Sequence, residues 1–254
     1  MTSKDKGSVL ITGASGGFGL YFAKNLEKQG YRLILHGRDS ARLKLVQDVL
    51  IYPEKHRVLM YELSARKGID QLLECLIHEE IVGLVNNAGF GVWGGFEISE
   101  SVAQLDVLRV NLLAPMTLSH ALLPKLKKNN GFIINVSSLA GEMPMPYMST
   151  YGSAKAGMTF WSEALRMELQ GNIKVVTLAP GPSPTGFRHV SGAPKGKGSW
   201  FSTPPEEVIE AALDCLSKGG GYCVPGWRHQ LLWGMQKITP RCVALPLLKY
   251  YLKP

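Results

Sequence analysis

Cysteine is scarce in this chain of 254 residues, and its distribution argues against two kinds of site. The four cysteines, Cys75, Cys215, Cys223 and Cys242, form no Cys-x-x-Cys motif. Their spacing predicts neither a zinc site nor a disulfide framework, and the six histidines show no ligand spacing either. We therefore expect no metal, and we expect reduced thiols in a cytoplasmic protein.

Long hydrophobic runs are also missing. No stretch reaches the ~18 uninterrupted apolar residues of an ordinary membrane span, and residues 1–7 form no apolar secretory signal. Acidic residues are outnumbered, 20 against 28 lysines and arginines, which gives a net charge of +8. This charge does not select among a nucleotide, an acidic carrier, nucleic acid and a membrane, and surplus surface lysine explains it equally well. Of these partners we expect no nucleic acid.

Apolar strands that alternate with helical patterns dominate the chain. A hydrophobic fraction of 45% and 28 glycines fit a filled core with tight strand-to-helix turns. Six or seven apolar strands alternate with helices, among them predicted helices over residues 68–80 and 101–127. This order predicts an α/β fold with a doubly wound parallel β-sheet flanked by helices, in a single domain.

A glycine-rich turn follows the first strand, residues 8–11. Residues 12–19 have the sequence Thr-Gly-Ala-Ser-Gly-Gly-Phe-Gly and lead into a helical pattern. Such an arrangement binds a dinucleotide, because glycines let the backbone approach the pyrophosphate and the helix N-terminus offers unpaired N–H groups. We assign Gly13, Ser15, Gly17, Phe18 and Gly19 to the cofactor. An ordinary tight turn is the alternative.

The end of the second strand, residues 31–36, bears on the choice of cofactor. Gly37 holds the place where NAD-binding sheets carry an acidic residue, and Arg38 follows it. The missing carboxylate and the arginine both favour the 2′-phosphate of NADP(H). The alternative is that Arg38 is a solvated residue at a helix start. Glu62 and Leu63, after the third strand, are placed near the adenine.

Two further segments carry candidate polar residues. Asn87, Ala88 and Gly89 follow the strand over residues 81–85 and leave room for a ligand at its carboxyl end. Asn111 interrupts the apolar pattern of the helix over residues 101–127. Its amide competes for backbone hydrogen bonds, so this position indicates a functional kink.

Tyr151 and Lys155 lie one helical turn apart, so both side chains leave the same helix face. A nearby ammonium favours the phenolate and lowers the pKa of a tyrosine from about 10. Tyr151 would then exchange a proton with a carbonyl or an alcohol near neutral pH. A serine at the tip of the adjoining strand, Ser137 or Ser138, would hydrogen-bond the same oxygen. An ordinary pair on a helix surface is the alternative.

Taken together, these segments strongly resemble the short-chain dehydrogenase/reductase family over residues 7–225. The motifs that carry the resemblance are, in order, Thr12-Gly13…Gly17-x-Gly19, Asn86-Asn87-Ala88-Gly89, Asn111, Ser138, Tyr151, Lys155 and Pro180-Gly181. The resemblance implies a Rossmann fold over residues 1–226, with residues 227–254 as a tail of the same domain. It also implies a homodimer or homotetramer.

The resemblance implies a role for each matching residue. Tyr151 donates and accepts the proton, and Lys155 lowers the pKa of Tyr151 and holds the nicotinamide ribose. Asn111 supports a water-linked proton path to Lys155. Ser138 orients the substrate carbonyl; it is preferred to Ser137 because the serine of the family lies thirteen positions before the tyrosine. The NADP(H) site also includes Pro180, Gly181, Ser183 and Thr185.

The chain departs from the family at Glu62, at Pro182-Ser183-Pro184 and after Gly226. The tail over residues 227–254 mixes aromatic, aliphatic and basic residues. It fits a membrane surface, a cover over the substrate pocket or a subunit interface. We favour packing against protein, because Pro240 and Pro246 would break any long amphipathic helix.

Two loops are candidates for the substrate side. Residues 141–148, rich in methionine and proline, are a candidate substrate mouth. Residues 187–202 are predicted to be a mobile lid whose apolar tip holds Trp200 and Phe201. Arg188, Lys195 and Lys197 would either meet an anionic carrier or belong to a solvated loop.

We therefore predict an NADPH-dependent reductase of a ketone or aldehyde. The apolar lid and tail favour a bulky hydrophobic substrate, such as a 3-oxoacyl, polyketide-like or steroid-like carbonyl compound, free or bound to a carrier. The alternative function is an NADP(H)-sensing binding protein that kept the fold and lost turnover.

Overall fold

The structure, a computed structural model, describes residues 6–193 and 202–253. Seven strands form one parallel sheet in the order β3-β2-β1-β4-β5-β6-β7. They are β1 (Ser8–Ile11), β2 (Arg32–Gly37), β3 (Arg57–Met60), β4 (Ile81–Asn86), β5 (Phe132–Val136), β6 (Lys174–Leu178) and β7 (Gly221–Cys223). The order runs outward in both directions from β1 and β4, which confirms the predicted doubly wound sheet.

Helices connect the strands and cover both faces of the sheet. They are α1 (Phe18–Lys28), α2 (Ser40–Asp48), α3 (Arg66–Cys75), α4 (Ser101–Leu108), α5 (Ala114–Lys128), α6 (Ser149–Glu168), α7 (Phe187–Val190), α8 (Pro205–Ser217), α9 (Trp227–Ile238) and α10 (Arg241–Leu252). Within the described ranges, no helix combines the length and the apolar character needed to cross a bilayer.

Strand β1 shows why the central strands of the sheet are rich in apolar residues. Val9 and Ile11 belong to one apolar cluster together with Phe22 of α1, whereas Leu10 belongs to a second cluster with Leu118 of α5. The two sets of side chains enter cores on opposite faces of the sheet. Because helices cover both faces of the sheet, every residue of β1 is buried and neither face of this strand is in contact with solvent.

Two helices differ from their predicted extents. Helix α3 ends at Cys75, five residues before the predicted end. Beyond it, the Lys125 ammonium donates hydrogen bonds to the carbonyl oxygens of Leu76 and Glu79, at 2.8 and 2.9 Å. The chain therefore turns away from helical geometry toward β4. The helical stretch that begins at Ser101 contains a π-helical segment, Arg109–Leu113, between α4 and α5. This segment confirms the kink predicted around Asn111.

The tail forms two helices, α9 and α10. Pro240 lies between them, as predicted, but Pro246 lies inside α10, so the prediction that Pro246 ends a helix is wrong. A proline at this position costs one backbone hydrogen bond, to the carbonyl of Cys242. Both residues are exposed, so water can solvate that carbonyl and the helix continues.

Candidate active site

A cavity of about 1110 Å³ opens at the carboxyl ends of the central strands, where open parallel sheets bind ligands. All predicted site residues except Gly19 contribute to its wall. They are Gly13, Ser15, Gly17, Phe18, Arg38, Glu62, Leu63, Asn87, Ala88, Gly89, Asn111, Ser138, Tyr151, Lys155, Pro180, Gly181, Ser183 and Thr185. The fold therefore brings together residues that are up to 172 positions apart in the sequence.

The glycine turn is held to the end of β4 by Thr12 and Asn87. Thr12 Oγ1 accepts hydrogen bonds from the backbone N–H groups of Asn87 and Ala88, both at 3.0 Å. The Asn87 side-chain amide donates to the carbonyl oxygens of Thr12 and Gly13, at 2.9 and 3.0 Å. Because these bonds occupy the Asn87 amide nitrogen, Asn87 acts on a ligand mainly by positioning the turn.

Gly19 supports the turn from behind rather than lining the cavity. A Cβ atom at this position would come within 2.5 Å of the Gly13 carbonyl oxygen, so α1 can pack this closely only with glycine there. Helix α1 begins with no side-chain cap and no acidic residue in its first turn. Its N-terminal N–H groups and partial positive charge therefore fit an anionic group such as a pyrophosphate.

The end of β2 brings two arginines to the cavity wall. Arg38 and Arg42 both line it, and Arg38 Nη1 donates to Glu62 Oε2 at 3.3 Å. Asp39 caps α2 by accepting the backbone N–H of Arg42 at 3.0 Å. Arg42 was not among the predicted site residues; its position one helical turn after Arg38 is the signal that could have indicated it.

The two neighbouring serines have different surroundings. The Ser137 hydroxyl donates to the Lys155 carbonyl oxygen at 2.9 Å and lies 2.6 Å from Thr159 Oγ1, so it ties β5 to α6. Ser138 Oγ instead donates to the Pro180 carbonyl oxygen at 3.4 Å, and Ser138 acts to lower the pKa of Tyr151. It also accepts the backbone N–H of Ala140 at 3.1 Å, which fixes its position at the end of β5. The geometry supports the choice of Ser138 as the residue next to the reacting oxygen.

Tyr151 and Lys155 are both buried on the cavity side of α6. The Lys155 ammonium donates to the Val136 carbonyl oxygen at 2.8 Å and lies 5.8 Å from the centroid of the Tyr151 ring. The two side chains therefore leave the same helix face, as their spacing predicts.

The pKa of Tyr151 differs from the expectation. Burial raises the pKa of Tyr151 to about 12, and Ser138 opposes this only in part. Burial also lowers the pKa of Lys155 to about 7. An amine that is half neutral at pH 7 is a weak source of positive charge, so the predicted lowering of the Tyr151 pKa by Lys155 is wrong for this cavity.

Asn111 directs an unpartnered oxygen toward Lys155. In the π-helical segment its amide nitrogen donates to the carbonyl oxygens of Phe90 and Val107, at 2.8 and 2.9 Å. Its Oδ1 atom is buried and has no hydrogen-bond partner among the described residues. A methyl group added at Gly89 would lie 2.5 Å from this oxygen and 3.5 Å from Lys155 Nζ. The oxygen and the amine therefore face the same small space.

The remaining part of the cavity wall is largely apolar. It includes Phe90, Trp93, Val110, Met145, Met148 and Phe187. Met145 and Met148 belong to the loop over residues 141–148, which stays a candidate substrate mouth. The ring of Phe187 lies 5.0 Å from that of Tyr151, and the Arg188 guanidinium lies 6.0 Å from the Trp93 ring. Lys195, Lys197, Trp200 and Phe201 of the predicted lid lie outside the described residues.

The tail closes one side of the same cavity. The tail residues that line the cavity are Leu232, Gln236, Leu248, Tyr251 and Leu252. No motif indicated these residues, since they come from a segment without resemblance to the family. The prediction that the tail packs against protein is confirmed for this inner face.

A buried carboxylate anchors α9 to the body. Glu142 accepts hydrogen bonds from Tyr222 Oη at 2.7 Å and Trp233 Nε1 at 3.2 Å, and it pairs with Lys237 Nζ at 2.8 Å. The Glu142 side chain is only 4% exposed. This cluster joins the substrate loop, strand β7 and the tail.

His229 anchors the tail to the segment after β6. It is fully buried, and its Nδ1 lies 3.1 Å from Thr203 Oγ1 and 3.2 Å from the Pro225 carbonyl oxygen. A Cβ atom at Gly181 would come within 2.5 Å of His229 Nε2. Gly181 therefore lines the cavity on one side and accommodates the His229 ring on the other. A lone histidine in a helical tail offered no signal for this contact.

Comparison with known proteins agrees with this geometry. A family model described as short chain dehydrogenase matches residues 7–195. The ketoacyl reductase HetN of Nostoc sp. is 32% identical over 225 residues, which cover 85% of this chain and 77% of that protein. The 3-ketodihydrosphingosine reductase of Bacteroides thetaiotaomicron is 33% identical over 183 residues, which cover 70% of this chain and 65% of that protein.

A solved structure shares the fold over nearly the whole chain. The short-chain dehydrogenase from Sphingobium yanoikuyae in complex with NADPH has a TM-score of 0.82 and 26% sequence identity. The match covers 96% of this chain and 95% of that one, so it includes most of the tail.

Proposed function

Because the chain belongs to the short-chain dehydrogenase family and is thus an oxidoreductase of CH–OH and C=O groups, we propose that it reduces a ketone or aldehyde with NADPH. The observation that carries the proposal is the convergence of Ser138, Tyr151 and Lys155 on the cavity that the glycine turn also lines. A reduced nicotinamide held in this cavity would supply the hydride for the carbonyl carbon. Tyr151 gives its proton to the carbonyl oxygen, so one hydride and one proton convert C=O to an alcohol.

The residues around Tyr151 prepare this proton transfer. Ser138 donates a hydrogen bond to the carbonyl oxygen and aligns it with the Tyr151 hydroxyl. Lys155 returns a proton to Tyr151 after each turnover, and the free Oδ1 of Asn111 holds the water that connects Lys155 to the outside. We also assign the ribose of the nicotinamide to Lys155, as the resemblance to the family implies and as its position in the cavity wall allows.

The choice of NADP(H) rests on the positive charge at the end of β2. Arg38 and Arg42 line the wall where Gly37 leaves no carboxylate at the strand end. An arginine pair binds a phosphate by bidentate, charge-assisted hydrogen bonds. The neighbouring Glu62 is already paired with Arg38, which limits its repulsion of the phosphate.

Replacing Arg38 by alanine tests this choice. We expect the KM for NADPH to rise at least ~10-fold, because a phosphate loses a charge-assisted partner, while the KM for NADH changes less than ~3-fold. Steady-state kinetics with both cofactors provide the measurement. Arg66→Ala is the matched control, since Arg66 is an exposed arginine paired with Asp70 outside the cavity. Equal losses for both cofactors in the Arg38 variant would contradict NADP(H) preference.

The substrate that fits best is bulky and mostly apolar. Aromatic, methionine and tail residues form the wall beyond Tyr151, which favours burial of a long or polycyclic group. Two polar atoms in this wall, Trp93 Nε1 and Gln236 Oε1, are buried without a partner among the described residues. One donor and one acceptor of this kind suit a substrate with a second polar group, as in a 3-oxoacyl compound, free or carrier-bound. The names of the two reductase relatives, a ketoacyl reductase and a 3-ketodihydrosphingosine reductase, also support a keto substrate.

Turnover across a panel of carbonyl compounds tests the function. The protein, mixed with NADPH, is expected to oxidise the cofactor fastest with long-chain 3-oxo or polycyclic ketones and at least ~10-fold more slowly with acetone-sized ones. Loss of absorbance by NADPH gives the rate. Binding of NADPH without turnover of any compound would instead support the alternative, a nucleotide-sensing binding protein.

We further propose a homodimer or homotetramer in a reducing compartment such as the cytoplasm. Helices α4 and α6 contact each other and expose large apolar side chains, including Val102, Leu105 and Phe160. A second copy of the chain would bury them. The four cysteines are free thiols, which supports a reducing environment.

A further inference from the structure

The first tail helix has an apolar face that points away from the cavity. Trp227, Leu231, Met235 and Ile238 follow one another at spacings of three or four residues, so they form a stripe along one side of α9. Their exposed fractions lie between 52% for Met235 and 81% for Ile238. This stripe does not belong to the inner face, to which Leu232 and Gln236 contribute.

The second tail helix repeats the pattern. Val243, Leu247 and Tyr250 lie at the same kind of spacing along α10 and are 52%, 65% and 86% exposed. We call the seven residues of the two stripes the outer tail face. Single exposed apolar side chains are ordinary, but two consecutive helices with such stripes indicate a surface that is covered by something.

The charge of the tail indicates which kind of partner covers the outer tail face. The tail over residues 227–254 contains no aspartate or glutamate, whereas it contains five basic residues: Arg228, Lys237, Arg241, Lys249 and Lys253. Lys237 pairs with Glu142 of the body, and the tail itself carries a net charge of +5. Basic side chains beside a stripe of Trp, Leu, Met and Tyr are typical of helices that lie at the surface of a membrane with anionic lipids.

We propose that the outer tail face docks on an anionic lipid bilayer, with α9 and α10 lying in the plane of the interface. Each helix has 12 residues and is about 18 Å long, too short to cross the hydrocarbon core but long enough to lie along it. A second copy of the chain is a poorer occupant. A two-fold contact would bring the same basic residues of both copies together, and no acidic residue of the tail would offset them.

This inference is independent of the proposed reductase activity, but it has a bearing on the substrate. The inner faces of the same two helices line the cavity. An apolar substrate dissolved in the bilayer would therefore have a short path to the active site, through the element that touches the lipid.

Vesicle binding of the full chain tests the proposal. Flotation uses vesicles of phosphatidylcholine alone or with about 30 mol% phosphatidylserine. We expect binding at least ~10-fold stronger to the anionic vesicles, and we expect this difference to shrink when salt is raised from ~0.1 to ~0.5 M, because salt screens the attraction. No cofactor or substrate is needed, so a failed assay of reductase activity would leave this test intact.

Two pairs of variants locate the surface. Leu231→Gln with Met235→Gln is expected to weaken binding to anionic vesicles at least ~10-fold, because apolar contact area is lost. Arg241→Gln with Lys249→Gln is expected to weaken it about 10-fold and to reduce its salt dependence.

Matched controls carry substitutions of the same chemical kind, apolar to glutamine or basic to glutamine, at distant exposed positions. The apolar control is Leu45→Gln with Ile51→Gln, at two exposed residues near the opposite edge of the sheet, where α2 packs beside β2 and β3. The basic control is Lys67→Gln with Lys128→Gln, which removes two other exposed charges. Both controls are expected to bind within ~2-fold of the unchanged protein. Thermal unfolding of every variant shows whether the fold is kept.

Several outcomes would overturn the proposal. The first is absence of binding to any vesicle by the unchanged protein. The second is equal weakening by the tail and the control variants. The third is a dimer that the Leu231 and Met235 substitutions dissociate in light scattering, without lipid binding, since this would assign the outer tail face to a second copy. Retention on an acidic polypeptide but not on vesicles would assign it to an acidic protein.

Discussion

Replacing Tyr151 by phenylalanine is expected to lower kcat for carbonyl reduction by about 10³-fold, because the substitution removes the hydroxyl that is proposed to give the carbonyl oxygen its proton. The expected change in affinity for NADPH is no more than ~3-fold, since the glycine turn, Arg38 and Lys155 are unaffected. Cofactor fluorescence measures binding, and stopped-flow absorbance measures the rate of NADPH oxidation. The two readouts separate a lost chemical step from a lost cofactor site.

Tyr31→Phe is the matched control for this variant. Tyr31 packs edge-to-face on Phe132 with ring centroids 5.9 Å apart and does not line the cavity. Loss of its hydroxyl is expected to leave kcat within ~2-fold of the unchanged protein. Full turnover in the Tyr151 variant would refute the assignment of Tyr151 as proton donor, and another acid in the cavity would have to replace it.

Alcohol oxidation is expected to accelerate by about 10³-fold between pH 6 and pH 9, whereas ketone reduction stays nearly constant. Reduction uses the neutral phenol of Tyr151, and oxidation uses the phenolate. With the pKa of Tyr151 raised to about 12, the phenol predominates throughout this range. The phenolate fraction is about 10⁻⁵ at pH 7 and increases tenfold with each pH unit. Values of kcat/KM in both directions provide the measurement.

A pH dependence that appeared in ketone reduction, with alcohol oxidation nearly constant, would contradict the raised pKa of Tyr151. Since reduction consumes one proton, the ratio of the two kcat/KM values must change tenfold per pH unit in any mechanism. If Tyr151 instead titrated near pH 7, oxidation would level off above pH 7 and reduction would fall tenfold per unit. If Lys155→Met shifted the pH profile of kcat/KM to higher pH by more than one unit, this shift would show that the Lys155 ammonium lowers the pKa of Tyr151.

The fold and the cofactor side of the site were largely predictable because their signals are local. The turn over residues 12–19 lies between a strand and a helix in the sequence itself, and Tyr151 and Lys155 share one helical turn. Asn111 was recognisable as a residue that does not suit a helix interior, and the structure has a π-helical segment there. Each of these signals needs only a few neighbouring residues.

The pKa of Tyr151 was not predictable in this way because burial depends on the whole cavity. The spacing of Tyr151 and Lys155 indicates only that they are neighbours. How much water reaches them depends on elements from other parts of the chain, such as Phe187, which packs against the Tyr151 ring. Desolvation acts on both groups in the direction of their neutral forms and is the largest cause of each pKa shift.

Contacts across long stretches of sequence account for the other differences. Glu142 and Trp233 are 91 positions apart, and neither belongs to a motif. The helical pattern of the tail predicts an amphipathic element but not which side faces the body. That side is set by partners such as Glu142 and Gly181, which only the folded chain brings to it. The prediction about Pro246 failed for a similar reason, since exposure of its surroundings lessens the cost of the missing hydrogen bond.

The anchoring of Glu142 means that the tail is not a detachable appendage. A protein shortened at Gly226 would keep this carboxylate and Tyr222 but would lack Trp233 and Lys237, so a nearly buried negative charge would lose its counter-ion. The same deletion would take away the ring that fills the space behind Gly181. Catalysis and stability would then decline together, whatever the tail touches outside. Substitutions on the outer side of these helices would therefore change what the tail contacts without altering the inner side that lines the cavity.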